Sequence, residues 1–149
     1  MCFSGHRHIP TNEMDEISSN LEKVVRELIY EGYQQFATGG ALGYDTLAAK
    51  TVLRLMKGFP SIQLHLALPC LEQTRGWGNA DIEEYEMIKR LANSVIYTSE
   101  KYTKGCMFKR NRYLVDMSSM CVCYLRKSTG GTAYTVKYAK SKGIRIRNL

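Results

Sequence analysis

The stretch Tyr33-Gln34-Gln35-Phe36-Ala37-Thr38-Gly39-Gly40-Ala41-Leu42-Gly43-Tyr44-Asp45 joins a strand pattern to a helix pattern through a glycine-rich turn. Residues 33–38 predict a short strand, which the glycine pair that follows brings to an end. Apolar spacing then predicts a helix over about residues 44–57. A strand, a tight glycine turn and a helix in this order are typical of the βα unit of an α/β domain.

The rest of the chain repeats this alternation. Helical spacing of apolar residues predicts an amphipathic helix over 12–30, with Asn12 and Asp15 as its capping pair. Strict alternation over 62–68 predicts a buried strand. Further strands are predicted at 2–4, 94–97, 120–125 and 144–147, and further helices at 79–92, 107–116 and 131–142. We therefore predict a single Rossmann-like domain over residues 1–149, with three αβα layers and a mostly parallel sheet.

The composition is that of a folded cytoplasmic domain. At 44% hydrophobic and 23% charged, the chain lies near the averages for globular proteins. No apolar run approaches the ~20 residues that span a membrane, and no secretory signal is expected. The first strand is short, so the chain is expected to begin a few residues late in its domain. The five cysteines form no CxxC pair, which favours reduced core thiols and predicts neither a metal site nor a cofactor.

Basic residues are concentrated in the last third of the chain. Residues 101–149 hold twelve Lys and Arg against a single acid, Asp116, although the whole chain carries only +7. This asymmetry predicts an anionic partner for the C-terminal third, either a bound phosphate or a nucleic-acid backbone. A solvated basic surface is the alternative. The sequence leaves open whether the chain forms a homo-oligomer.

Chemically active residues follow four of the predicted strands. In an open parallel sheet the ligand crevice lies beyond the carboxyl ends of the strands. The four segments are Gly5-His6-Arg7, Gly39–Asp45, Gln73 with Trp77, and Lys127–Thr132. We therefore expect a binding site along this edge of the sheet.

Two of these segments are glycine loops that lead into helices. Gly39-Gly40 with Gly43 precede one helix, and Thr129-Gly130-Gly131-Thr132 opens another. Glycines allow a close backbone approach, and a helix start offers free N–H groups with partial positive charge. One such loop alone is a weak signal, because a glycine pair before a helix is often only a turn. Two on the same edge predict a phosphate-binding site.

Single side chains in these segments have alternative roles. Arg7 is either a phosphate clamp, because its guanidinium is forked and always charged, or a surface ion-pair partner. His6 is either an acid–base group or a structural side chain. Asp45 would repel phosphate, so it either binds a ribose hydroxyl or caps its loop.

The later segments offer contacts for a base or a ribose. Arg110-Asn111 and Asp116 are predicted on one helix face, where Asn111 and Asp116 would bind a base or ribose. In the alternative, Arg112 and Asp116 form an i,i+4 pair worth a few tenths of a kcal/mol. Trp77, with Tyr85, either stacks on a base or closes an edge of the core.

Taken together, these motifs resemble the SLOG superfamily, and the most similar branch is the YpsA-like one. The resemblance rests on the ordered set Ser4–Arg7, Gly39–Ala49, Gln73 to Trp77, Arg110-Asn111 with Asp116, and Thr129–Thr132. It covers nearly the whole chain. It implies a Rossmann-like fold and a nucleotide-type ligand, ADP-ribose-like or another nucleotide derivative, that the domain binds or senses.

Two related families imply alternative functions. The DNA-processing protein A family binds single-stranded DNA, and its loop is similar to residues 40–45. The cytokinin-activating phosphoribohydrolases cleave a base from a nucleotide, using a glutamate shortly after a Pro-Gly-Gly-x-Gly-Thr loop. Here Gly131-Thr132 is followed by Ala133-Tyr134-Thr135, without that carboxylate and without the leading Pro-Gly. An N-glycosidase would need another carboxylate, with Asp45, Glu72, Glu100 and Asp116 as the candidates.

Overall fold

The computed structural model describes residues 1–149, in which strands and helices alternate along the chain. The strands are β1 (Cys2–Gly5), β2 (Gln35–Thr38), β3 (Gln63–Leu68), β4 (Ser94–Tyr97), β5 (Met120–Tyr124) and β6 (Arg145–Asn148). The helices are α1 (Thr11–Tyr30), α2 (Tyr44–Met56), α3 (Asn79–Leu91), α4 (Cys106–Asp116) and α5 (Gly131–Ser141). Every predicted element is present, with its ends within two residues of the predicted ones.

The strands form one sheet in the order β4-β3-β2-β1-β5-β6. Every neighbouring pair is parallel, which confirms the predicted α/β class and makes the sheet wholly parallel. From β1 the chain adds β2, β3 and β4 on one side, and it then crosses to the other side for β5 and β6. The order therefore reverses between β1 and β5, where parallel sheets open a ligand crevice beyond their strand ends.

Helices cover both faces of the sheet. On one face, α1, α2 and α3 pack in a cluster of 23 buried residues that includes Phe36 and Val52. On the other face, α4 and α5 pack in a smaller cluster of 8, which includes Leu114, Cys121 and Cys123. The two cysteines share one strand face and serve packing, as their spacing predicts. These layers confirm the Rossmann-like three-layer architecture.

The amphipathic stripe of α1 is confirmed, but its predicted cap is wrong. The helix begins at Thr11, after Pro10, and no side chain caps it. The Pro10 carbonyl accepts the Glu13 amide at 2.9 Å and closes the first turn, so Asn12 lies inside the helix. No helix of the structure combines the length and the apolar character that crossing a membrane requires.

Candidate functional site

A cavity of about 260 Å³ opens beyond the carboxyl end of β1. Its walls come from β1 and the residues after it, the start of α2, one side of α4 and the start of α5. The lining residues are Phe3, Ser4, Gly5, His6, Arg7, Ala41, Asp45, Met107, Arg110, Asn111, Leu114, Gly131 and Thr132. Parallel strands end on one edge of the sheet, so segments distant in sequence meet there. The loops at 39–45 and 129–132 thus contribute to the same cavity.

The first glycine loop, residues 39–45, contacts the His6-Arg7 segment that follows β1. The Tyr44 amide donates to the His6 carbonyl at 3.1 Å. Gly43 has φ +73°, and a Cβ there would lie 2.2 Å from the Arg7 carbonyl oxygen. Glycine is therefore required at position 43 both by its backbone conformation and by the contact. This contact sets the distance between the loop and the His6-Arg7 segment.

The other end of the loop is held by two buried side chains. The Arg110 guanidinium donates to the Gly39 carbonyl, and Gln73 Nε2 donates to the same oxygen at 3.1 Å. Gln73 Oε1 in turn accepts from the Tyr85 hydroxyl at 3.4 Å. Gln73 thus lies behind the loop and supports it, outside the lining of the cavity.

Asp45 and Arg110 form a buried ion pair across the back of the cavity. Nη1 of Arg110 lies 3.8 Å from Oδ2 of Asp45, and each residue is only 5% exposed. The same Oδ2 accepts the Ala41 amide at 3.2 Å. Burial raises the pKa of the Asp45 carboxyl above its ordinary value, and Arg110 and the loop amides oppose that rise. Asp45 caps and orients its loop, the second of the two roles open to it from the sequence.

The second glycine loop presents the start of α5 to the cavity. Gly130 precedes the helix with φ +91°, and no side chain caps the helix start. The first-turn N–H groups of a helix have no partner within it. Gly131 and Thr132 belong to that turn, and both line the cavity. Asn111 lines the cavity close to Gly131 and accepts from Arg110 Nε through Oδ1 at 2.7 Å. The start of α5, like the start of α2, is therefore a helix end at this site without a side-chain cap, and it carries no acidic residue in its first turn.

Arg7 is the exposed cation at the cavity mouth. The one hydrogen bond of its guanidinium is to the Met107 sulfur, at 4.0 Å, and Arg7 takes part in none of the ion pairs of the structure. It is therefore free to turn toward an anion. Arg7 and Arg110 give the cavity two guanidinium groups against the single carboxylate of Asp45.

His6 has a structural role. Its Nε2 accepts the Arg126 backbone amide at 2.9 Å, and its ring packs edge-on against Tyr124 at 5.7 Å. An amide can only donate, so Nε2 carries a lone pair and the ring is neutral. Burial, with a smaller effect of Lys127 and Arg126, lowers the pKa of His6 below its ordinary value.

Several residues predicted for the site lie outside the cavity. Trp77 packs edge-on against Tyr85 at 5.5 Å and joins the rim of the core. Thr129 and Gly130 are exposed and lead into α5 without lining the cavity. Gly40, with φ +63°, packs against Leu68 behind the loop.

Asp116 lies at the far end of α4. There it accepts from the Tyr138 hydroxyl at 2.9 Å and pairs with Lys142 at 3.2 Å. Five residues turn a helix by about 140°, so Asn111 and Asp116 occupy different faces. The i,i+4 pair with Arg112 is also absent, because Arg112 donates to the Tyr134 hydroxyl instead, at 2.8 Å.

The other carboxylates considered for bond cleavage also lie outside the cavity. Glu72 accepts the Tyr102 amide at 3.1 Å on the surface, and Glu100 is exposed. Asp45 is thus the only carboxylate in the lining.

Sequence reasoning missed four lining residues, Phe3, Ser4, Met107 and Leu114. Ser4 directly precedes the Gly5-His6-Arg7 segment, so the strand-end argument could have included it. Met107 carries no such signal, because an apolar residue at a helix start is indistinguishable from a core residue.

Comparison with known proteins identifies the family of the chain. The model of the YspA SLOG family (YpsA) matches residues 7–146. The SPbeta prophage-derived protein YoqJ of Bacillus subtilis (strain 168) is 31% identical over 140 residues, which cover 85% of this chain and 82% of that protein. A UPF0398 protein of Bacillus thuringiensis (strain Al Hakam) is 29% identical over 130 residues, which cover 85% of this chain and 71% of that protein.

A solved structure shares the fold. DNA processing protein A from Helicobacter pylori, reported with its single-stranded DNA binding mode, superposes with a TM-score of 0.67 at 17% identity. The match covers 99% of this chain, which spans 63% of that longer chain. Because the family model matches residues 7–146, which is nearly the whole chain, the chain belongs to the YspA SLOG family.

Proposed function

We propose that the cavity binds the phosphate-bearing part of a nucleotide or nucleotide derivative, ADP-ribose-like in kind, and that the protein binds or senses this ligand. One observation carries the proposal: Arg7, Arg110 and the uncapped start of α5 face the same cavity. Guanidinium groups and helix-start amides are the donors that proteins use for phosphate oxygens. The cavity volume is close to the lower end of the range for ligand pockets, about 300–1,000 Å³. That suits a phosphate and its ribose, with the base extending toward solvent.

The two helix starts have different roles in this proposal. The start of α2 already has Asp45 in its first turn, and the Ala41 and Tyr44 amides have acceptors within the protein. A carboxylate in the first turn adds negative charge to that helix end, which would repel a phosphate. We therefore assign the phosphate to the start of α5, with Arg7 as its clamp. Arg110 contributes positive charge from behind while it holds the loop.

The positions of the carboxylates favour binding of the ligand without its cleavage. Stabilising a ribosyl cation during base release requires a carboxylate that reaches the sugar. Asp45 is engaged by Arg110 and by the Ala41 amide, and no other carboxylate lines the cavity. An N-glycosidase is therefore not proposed.

Calorimetric titration tests this function. ADP-ribose, NAD and nucleoside phosphates are titrated into the wild-type protein and into Arg7→Ala and Arg90→Ala variants. Arg90 is exposed at the far end of α3, so its loss controls for net charge. We expect at least one of these ligands to bind, about tenfold more weakly to Arg7→Ala, because a charge-assisted bidentate contact is worth roughly 1.5–3 kcal/mol. Absence of binding by the whole panel, or equal loss in both variants, overturns the proposal.

A further inference from the structure

A second concave surface lies on the outer side of α4 and α5. It is a groove of about 430 Å³ that we name the basic aromatic groove, lined among others by Lys104, Phe108, Lys109, Arg112 and Tyr134. It shares no lining residue with the cavity at β1. The groove is therefore a separate candidate site, whose side chains differ from those of the cavity.

Aromatic rings follow one another along this surface. Phe108 and Tyr134 have ring centroids 4.6 Å apart at an angle of 64°. Tyr134 and Tyr138 lie 6.5 Å apart with parallel planes, at 1°. Phe108 is 41% exposed, although a phenylalanine on a packed helix would normally be covered. The three rings form a row along the seam between the helices, with ring area open to solvent.

Positive charge surrounds the rings. Lys104, Lys109 and Arg112 line the groove, no carboxylate does, and none of the three forms an ion pair. Arg112 is oriented by its bond to the Tyr134 hydroxyl at 2.8 Å. The only acid in the C-terminal third is Asp116, at the Tyr138 end, and Lys142 already neutralises it at 3.2 Å. Three of the twelve basic residues of the C-terminal third thus lie beside the exposed Phe108 and the half-buried Tyr134.

We propose that the basic aromatic groove binds single-stranded nucleic acid, with bases stacked on the ring row and phosphates beside the cations. Exposed aromatic rings bind unpaired bases of any sequence, and flanking cations follow the backbone. A duplex hides the base faces, so it would engage only the charges. A membrane surface would use the cations and would bury aliphatic side chains, which this groove does not offer. An acidic protein would leave the row of rings without a partner of matching shape.

The proposal does not depend on the ligand of the cavity. Its donors are different side chains on the outer surfaces of α4 and α5. Substitutions in the groove should therefore leave the binding of a small nucleotide unchanged, and substitution of Arg7 should leave the binding of a strand unchanged.

Fluorescence anisotropy with a labelled oligothymidylate of about 12 nucleotides tests the proposal, because single-strand sites span roughly 4–16 nucleotides. The full chain is compared with Lys109→Glu, Phe108→Ala and Phe108→Tyr. Lys23→Glu is the matched charge control, since Lys23 is exposed and unpaired on α1, which packs on the other face of the sheet. Thermal melting of each variant confirms that it is folded.

We expect Lys109→Glu to weaken binding by about tenfold or more and Lys23→Glu by less than about twofold. Phe108→Ala should weaken it by about fivefold or more, and Phe108→Tyr should retain it, because stacking needs only a ring. The affinity should fall with salt at a log–log slope of about −2 for three single-strand phosphate contacts.

Three results would overturn the proposal. The first is no binding of the oligonucleotide by a folded wild-type protein. The second is equal affinity for a duplex of the same length, or stronger binding to anionic phospholipid vesicles, which would remove the role of the rings. The third is loss of binding in Arg7→Ala but not in Lys109→Glu, which would place the strand in the cavity. Calorimetry with ADP-ribose on the same samples reports separately on the cavity.

Discussion

Arg110 and Asp45 form the one ion pair of the structure in which both side chains are buried, at 3.8 Å across the back of the cavity. In every other pair both side chains are at least 23% exposed. The pair joins α4, on one face of the sheet, to the first turn of α2, on the other. It therefore couples the shape of the site to the stability of the fold.

Replacing Arg110 should destabilise the protein strongly. In Arg110→Met the Asp45 carboxylate stays buried without its cation, so we expect the free energy of unfolding to fall by about 3 kcal/mol or more. Urea denaturation measures the loss. Arg26→Met, which removes an exposed pair with Glu22, should cost less than about 1 kcal/mol. The double variant Asp45→Asn with Arg110→Met should recover part of the loss, and equal losses in Arg110→Met and Arg26→Met would contradict this reasoning.

Substitutions at Gly43 and Gly32 distinguish the energetic cost of backbone strain from the cost of a close contact. Both have positive φ, +73° and +95°, but a Cβ at Gly32 meets nothing within 4 Å, whereas one at Gly43 lies against the Arg7 carbonyl. Gly32→Ala should cost about 1 kcal/mol, from strain alone. Gly43→Ala should cost about 1–3 kcal/mol more, because the loop must move. Denaturation curves for the two variants test this, and similar midpoints would mean that the contact is easily relieved.

Two neutral histidines should make stability depend on pH. Burial lowers the pKa of His6 and of His65 below the ordinary value of 6.5. The unfolded chain therefore binds more protons, and stability that is complete above pH 6.5 is lost as the pH falls through that value. In His6→Gln an amide oxygen can accept the Arg126 amide without titrating, so its profile should be flatter. Thermal melts between about pH 7.5 and 5 measure this, and an unchanged slope in a His6→Gln, His65→Gln double variant would refute it.

The five cysteines should be unreactive in the native protein. All are buried and unpaired, so a reagent cannot reach them in the folded state. Burial also raises the pKa of Cys123 to about 11, whereas a hydrogen bond with Cys121 lowers the pKa of Cys2. Since the thiolate is the reactive form, labelling by an aromatic disulfide reagent should be slow and should follow unfolding. In denaturant all five should react at once. Fast labelling of a native thiol would show local opening of the sheet.

The helices and strands could be predicted because their signals are local. The alternation of Leu64, Leu66 and Leu68 and the stripe of α1 each depend on neighbours a few residues apart. The edge of the sheet that carries the site follows from the parallel connections alone. The order of the strands did not follow, because it depends on pairing between distant segments such as β1 and β5, whose residues Cys2 and Cys121 are in register.

The roles of the polar side chains were the least predictable part of the site. Asp45 and His6 each had two interpretations in the sequence, and Asp116 was expected beside Asn111. In the structure Asp45 pairs with Arg110, and Nε2 of His6 accepts the Arg126 amide. Asp116 accepts from Tyr138 and pairs with Lys142. All of these partners are more than 20 residues away along the chain.

By itself, the sequence determined the alternating elements, the buried faces and the edge on which glycine loops and cations gather, because apolar spacing and glycine turns act over a few residues. Only the tertiary structure decided which polar groups are engaged and which are free. A buried charge or amide takes whatever partner the packing brings within about 3–4 Å. The packing left the Arg7 guanidinium and the start of α5 available to a ligand at the cavity. It also left the aromatic rings and the cations of the basic aromatic groove accessible to solvent.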